Sequence, residues 1–233
     1  METRTERMDL YEVMRTTFAA RDFLPDKVSD TQIHRILDNA RFAPSGGNRQ
    51  GWRVVVVRDA SMRRKLGELI EPTMQRYVAQ VKAGEAPFNT VHPSQVTDAE
   101  VAATQPPASM IENLTQAPVI LMVFVDLSVV ASFDHDARYA GVISGASVYP
   151  FVWNILLAAR NEGLGGTLTT FVGGQAAALH ELFSVPEGWA FAAMLPMGKP
   201  VKQLTKLKRK PVSEFTYQDT FVGPQLQIEP DAV

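Results

Sequence analysis

Residues 140–162 constrain the fold most, because this stretch is apolar on almost every side of a helix. One amphipathic face does not account for so dense an apolar pattern, so the helix has to lie in a core or in an interface between subunits. We expect Pro150 to bend it and Gly163 to end it as a C-cap. Small side chains on one side allow a second helix to come close: Gly141, Ser144, Gly145 and Ser147.

Periodicity predicts further helices around two apolar strands. Helices are expected over residues 9–17, 29–40, 59–81 and 175–183. Ser29 and Gln32 form a capping box, and Pro72 kinks or splits the third helix. The strands 54–57 and 119–126 are continuous apolar runs, which predicts burial on both faces. Strands are also expected over 165–170 and 190–197.

Residues 84–107 lack the regular pattern of the predicted helices and strands, because they contain four prolines and no sustained periodicity outside 97–103. A connection of this length in one domain is usually a lid, a binding loop or a disordered segment. Phe88 and His92 are candidates to cover a substrate. An arm around a partner subunit is an equally good interpretation.

Composition excludes several classes of function. The net charge of −2 gives no field for nucleic acid or an anionic membrane, and the absence of cysteine excludes disulfides and thiolate chemistry. The first residues lack the apolar core of a secretory signal, so we expect a cytoplasmic protein without membrane or nucleic-acid partners. The run Asp134-His135-Asp136 is a poor metal site, because consecutive side chains seldom point at one ion. We expect a solvated helix start there and no metal.

Residues 40–52, A-R-F-A-P-S-G-G-N-R-Q-G-W, join a predicted helix to a predicted strand. Gly46 and Gly47 allow positive φ and a close approach to a ligand. Such a loop suits a flat heterocycle with polar edge atoms, but the same residue types also make an ordinary turn. The neighbouring side chains supply donors and acceptors without fixed charge: Ser45, Asn48 and Gln50.

The motif A-P-S-G-G-N-x-Q-x-W after an amphipathic helix resembles the flavin-contacting loop of the FMN-dependent nitroreductase family. Further segments match that family in the same order, from about residue 9 to residue 211. The resemblance implies an α+β fold with a mostly antiparallel sheet flanked by helices, in an intertwined homodimer with FMN at the interface. The loop would contact FMN held by the other subunit, through Pro44, Ser45, Gly46, Asn48 and Gln50.

The family carries R-R-S-x-R-x-F near the N-terminus, where cations and a hydroxyl meet the flavin. Aligned on the Phe of that motif, Arg21 matches a cation. Thr17 stands where the first Arg is expected, and Phe18 and Ala19 also depart from the pattern. These departures leave the FMN phosphate with fewer partners, and Arg15, one helical turn away, is a candidate replacement.

Two later segments complete the resemblance. In related proteins the positions of Leu168, Thr169 and Thr170 lie along one face of the flavin ring, although a plain strand also explains these residues. The family segment K/R-x-R-x-P meets the FMN phosphate, and Lys208 and Arg209 precede a proline here. A solvated basic run is the alternative interpretation.

The resemblance implies hydride transfer from NADH or NADPH to FMN, and then reduction of an electron-poor small molecule such as a nitroaromatic or a quinone. We expect no acid–base side chain. The alternatives are flavin-dependent dehalogenation, ene reduction or flavin breakdown on the same fold, and a non-catalytic flavin-binding protein. We expect one domain over residues 1–233, with a lid or arm at 84–107 and a C-terminal extension at 212–233 that lies over the partner subunit.

Overall fold

An antiparallel sheet lies between two layers of helices in the computed structural model, which describes residues 8–226. This is the α+β architecture that we expected. The strands are β1 (Trp52–Val57), β2 (Val119–Asp126), β3 (Gly165–Gly166) and β4 (Trp189–Gly198), in the order β1-β2-β4-β3. The helices are α1 (Leu10–Thr16), α2 (Asp30–Ala40), α3 (Ala60–Lys82), α4 (Asp98–Ala102), α5 (Ala108–Thr115), α6 (Tyr149–Asn161) and α7 (Ala176–Phe183).

Strand β2 is the centre of the fold and is buried on both faces, as its apolar run predicts. Successive side chains of a strand point to opposite faces of the sheet. Leu121 and Val123 therefore join a core with α2 and α6, whereas Ile120 and Met122 join a second core with α3, α5 and α7. The alternation along β2 thus places one helix layer on each side of the sheet.

Strand β1 lies at the edge of the described sheet, where it pairs with β2. The prediction that residues 54–57 are buried on both faces is wrong at Val56, which is 40% exposed, although Val57 is buried. A β-branched run indicates a strand, but burial of its second face depends on neighbours that are remote in sequence.

The apolar stretch 140–162 contains two elements where one helix was expected. A 3₁₀ turn, Ile143–Ser147, precedes α6, which begins at Tyr149 with Pro150 in its first turn. The first amides of a helix have no partner within the helix, so the missing N–H of Pro150 costs nothing in the first turn of α6 and the predicted bend does not occur. The predicted C-cap is confirmed, because Gly163 has φ +74° and Leu164 N–H donates to Ala159 O at 2.8 Å.

The predicted helix start at residues 133–139 is also wrong, since these residues form turns. Asp134 Oδ2 instead accepts hydrogen bonds from the amides of Val142 (2.6 Å) and Ile143 (3.1 Å). The bond from Ile143 and that from the Ser132 hydroxyl lower the pKa of Asp134. The carboxylate therefore holds the loop before α6 in place.

Of the other helices, α2 has the predicted capping box between Ser29 and Gln32. The prediction that Pro72 splits the third helix is wrong, because α3 is one helix over Ala60–Lys82 with Pro72 inside it. In α1, Val13 is buried whereas Leu10 and Met14 are 63% and 49% exposed. Among residues 8–226, no helix combines the length and apolarity needed to cross a membrane.

Candidate functional site

A cleft of about 290 Å³ opens between α3, α5 and the segment that follows β3. It brings together four of the predicted site residues, Arg21 and Leu168 to Thr170, which are far apart in sequence. Its remaining wall comes from the helices and from the residue after Thr170: Met74, Ser109, Met110, Asn113, Leu114 and Phe171.

The segment after β3 reaches the cleft through one backbone bridge to β4. Thr169 N–H donates to Met194 O at 3.0 Å, and Met194 N–H donates to Thr169 O at 2.9 Å. The predicted strand 165–170 is thus reduced to two paired residues and this bridge. Thr169 is 8% exposed, and among the described residues its Oγ1 has no hydrogen-bond partner. Buried hydroxyl groups are usually paired, so this hydroxyl is an exception in a residue that lines the cleft.

Arg21 lies beside this segment because the backbone before it runs along β3. Ala20 N–H donates to Gly166 O at 3.0 Å, and Arg21 Nη1 donates to Ala19 O at 3.3 Å. A side chain at Gly165 would come within 3.1 Å of Ala20 Cβ. Glycine at this position therefore allows the approach that places a cation at the cleft.

Helix α5 was missed by the sequence reasoning, although it carries much of the cleft wall. Ser109 and Asn113 are one helical turn apart and both line the cleft. The available signal was the apolar spacing of Met110 and Leu114 immediately after a proline pair. The irregular region before this helix obscured that short pattern.

The loop over residues 44–50, called the polar loop below, does not contribute to the cleft of its own chain. Ser45 Oγ accepts a hydrogen bond from Gln50 N–H at 3.0 Å, and Gln50 Nε2 donates to Asn48 Oδ1 at 3.0 Å. Gly47 and Asn48 have φ of +60° and +54°, the left-handed conformation that the glycine pair predicts. Pro44, Gly46, Asn48 and Gln50 are exposed, and none of the described residues that line the cleft comes from this loop.

Trp52 ends the loop and anchors it to the core. Its ring stacks on Phe151 of α6, with ring centroids 4.5 Å apart and an interplanar angle of 5°. The aromatic residue of the motif therefore packs against α6 in this structure and fixes the end of the loop.

The remaining predicted site residues lie outside the cleft. Thr17 is buried and its hydroxyl donates to Val13 O at 2.7 Å, whereas Arg15 is exposed, with its guanidinium 6.0 Å from the Tyr11 ring centroid. Lys208 and Arg209 are both exposed, and Arg209 Nη1 donates to Lys208 O.

Side chains of α3 form polar contacts with residues 84–107. Gln75 Nε2 donates to Thr104 O at 2.8 Å, and Arg76 pairs with Asp98 at 2.7 Å. Phe88 and His92 line a separate hollow formed largely by residues 85–95, so they do not face the cleft in this structure. The predicted C-terminal extension spans residues 212–233, and residues 227–233 of it lie outside the described range.

Comparison with known proteins identifies the family. 5,6-Dimethylbenzimidazole synthase of Rhodobacter capsulatus is 28% identical over 196 residues, which cover 84% of this chain and 86% of that protein. The fold is shared with an iodotyrosine deiodinase solved with FMN and 3-iodo-L-tyrosine (TM-score 0.63, 21% identity, 91% of this chain and 100% of that chain). It is also shared with nitroreductase A of Vibrio parahaemolyticus (TM-score 0.65, 17% identity, 92% and 78%). The Nitroreductase family model matches residues 14–199, and the chain belongs to the nitroreductase family.

Proposed function

We propose that this protein is an FMN-dependent oxidoreductase that takes electrons from NADH or NADPH and reduces an electron-poor small molecule, such as a quinone or a nitroaromatic. One observation carries the proposal. Thr169, whose buried hydroxyl has no partner among the described residues, lines a cleft that also holds Arg21. This arrangement occurs in a chain of the nitroreductase family.

The residues of the cleft fit a flavin. The edge of the flavin ring offers carbonyl oxygens and ring nitrogens, and the cleft offers donors in Arg21, Asn113 and Thr169. Apolar side chains of α3, α5 and the 168–171 segment suit the face of a planar ring. The site therefore has both kinds of surface that the cofactor requires.

A second copy of the chain would complete the site. Ligand pockets usually measure about 300–1,000 Å³, so a cleft of about 290 Å³ is small for a cofactor and a substrate together. Tyr11, Val142 and Trp153 are 67%, 80% and 43% exposed, and a second copy of the chain would cover apolar side chains of this kind. In the proposed homodimer, the polar loop of the second copy lies over the flavin through Pro44, Ser45, Gly46 and Asn48.

The phosphate of FMN would take the remaining cations. Arg209 and Lys208 are exposed and belong to a segment whose start is held at α1, because Gln203 Nε2 donates to Thr16 O at 2.9 Å. Arginine binds two phosphate oxygens at once. Thr17, whose hydroxyl already donates within α1, would contribute less.

Bound FMN would supply the chemistry by accepting a hydride and returning electrons to the acceptor. The chain would supply position and electrostatics. Arg21 holds positive charge at the cleft, Thr169 and Asn113 orient polar edges, and the apolar wall excludes water. We propose no side chain as a proton donor or acceptor.

Reductive dehalogenation or flavin breakdown is the second candidate function. It is favoured by similarity to a dimethylbenzimidazole synthase and by a fold shared with an iodotyrosine deiodinase. Ene reduction and non-catalytic flavin binding are further alternatives.

The deciding experiment starts with the visible spectrum and flavin content of the purified protein. We expect FMN at about one per subunit, and steady oxidation of NADH or NADPH when menadione is added. Colourless protein that fails to quench the fluorescence of added FMN would refute the proposal. Deiodination of iodotyrosine, or aerobic loss of the bound flavin, without menadione reduction would favour the second candidate. Flavin without turnover would indicate a binding protein.

A further inference from the structure

The guanidinium of Arg63 lies at the junction between α5 and β2. Its Nη1 donates to Thr115 O at 3.3 Å and to Ala117 O, and its Nη2 donates to Pro118 O at 3.0 Å. Thr115 is the last residue of α5, and Val119 is the first residue of β2. One side chain of α3 therefore binds both the end of α5 and the residues that lead into β2.

This junction is where a cation interacts best with the backbone. The last carbonyl groups of a helix have no partner within the helix, and the helix dipole makes that end negative. Within residues 8–226, Arg63 forms no ion pair with a carboxylate, and its Nε is buried without a partner. Burial, and then the charge of Arg58, lower the pKa of Arg63. Backbone carbonyls are thus the groups that compensate for its desolvation.

Helix α5 depends on this junction because its other end is weakly held. No side chain of the described residues caps its N-terminus, which follows Pro107. The helix is only about 12 Å long, so a shift at Thr115 would reach Ser109 and Asn113 in the cleft. Helices α3 and α5 also pack closely, since a Cβ at Gly67 would lie 3.5 Å from Ile111 Cγ2.

We propose that Arg63 is a positioning residue for the cleft: by holding Thr115 O at the end of α5 and two carbonyls of the connection to β2, it sets where Ser109 and Asn113 lie relative to the 168–171 segment. The inference rests on the proposed function for its effect on FMN. Its effect on α5 itself is independent of any cofactor.

The test compares Arg63→Gln and Arg63→Lys with Arg64→Gln, an exposed neighbour on the same helix. In flavin-free protein, we expect Arg63→Gln to speed amide hydrogen exchange in residues 108–118 but not in α2. We expect the Kd of Arg63→Gln for FMN to be about tenfold higher than that of the wild type, which corresponds to about 1.4 kcal/mol. The visible spectrum of the saturated variant should also differ from that of the wild type. Lysine, a single point charge without the planar fork, should have an intermediate effect.

The outcomes separate the two proposals. A folded Arg63→Gln protein with wild-type exchange, Kd and saturated spectrum would overturn the positioning role. A change in thermal stability alone, with those three unchanged, would also overturn it. If Arg63→Gln does not fold, Arg63→Lys decides by the same measurements. Wild-type protein that binds no FMN would refute the proposed function, while the exchange comparison would still test the role of Arg63 in holding α5.

Discussion

The amide of Gly46 donates a hydrogen bond to Ser147 Oγ, 3.2 Å away, and so joins the polar loop to the 3₁₀ turn before α6. A Cβ at Gly46 would lie 3.3 Å from that oxygen, tighter than an ordinary contact. The glycine therefore allows the approach, and Ser147 determines the direction in which the loop amide points.

Ser147→Ala should loosen the polar loop. One neutral hydrogen bond contributes about 1 kcal/mol, so we expect the Kd for FMN to rise about fivefold and exchange of the amides in residues 44–50 to accelerate. Fluorescence titration and hydrogen exchange measure the two effects. Ser144→Ala, on the same turn, is the matched control. Unchanged Kd and exchange in Ser147→Ala would show that this contact does not position the loop.

Thr169→Val should affect the free and the flavin-bound protein in opposite directions. The Thr169 hydroxyl is buried without a partner among the described residues, and such an unsatisfied group destabilises the folded state by about 1–3 kcal/mol. The valine removes this group. We therefore expect a higher melting temperature without FMN, and a weaker affinity for FMN. Calorimetry measures the melting temperature and fluorescence titration measures the affinity for FMN. Thr205→Val, in the exposed tail, is the control. A lower melting temperature together with unchanged affinity would contradict the assignment.

Trp153→Glu should weaken the proposed dimer. Trp153 is 43% exposed on α6, and a charge there would be buried in the interface without a partner. We expect light scattering to shift toward the monomer mass and FMN affinity to fall with it. Val81→Glu places the same charge on an exposed apolar position of α3 and should leave the mass unchanged. A monomeric wild type at micromolar concentration would rule out this prediction.

Glu85 should make residues 84–97 sensitive to acid. Its carboxylate accepts hydrogen bonds from Ser94 Oγ at 2.6 Å and from Gln95 N–H at 2.7 Å, and these lower its pKa from the ordinary 4.5. A group with a depressed pKa stabilises the folded state above its unfolded pKa, and that contribution is lost as pH falls through the folded value. We therefore expect full protection above about pH 5 and its loss in stronger acid.

Hydrogen exchange of residues 84–97 against pH measures this loss. Glu85→Gln should exchange faster than the wild type at pH 7 and should show little further change in acid. Glu71→Gln, an exposed carboxylate on α3, is the control. Identical exchange in the wild type and in Glu85→Gln at pH 7 would mean that the carboxylate does not hold the segment.

The sequence by itself determined the local elements. The capping box at Ser29, the apolar run of β2 and the glycine after α6 each act through neighbours a few residues away, so they can be recognised without a fold. The resemblance to the nitroreductase family rested on local motifs as well, and the family is confirmed.

Tertiary structure decided what each element meets. The position of β1 at the edge of the sheet depends on its single partner, β2, more than sixty residues later. The family resemblance predicted that Arg21 and Thr169 contact one ligand, but no sequence pattern placed Asn113 in the cleft with them, because burial and pairing are settled between segments distant in the chain. For the same reason, only the packing of the helices against the sheet shows that the Thr169 hydroxyl has no partner in the described part of the chain, and that Arg63 binds the junction between α5 and β2.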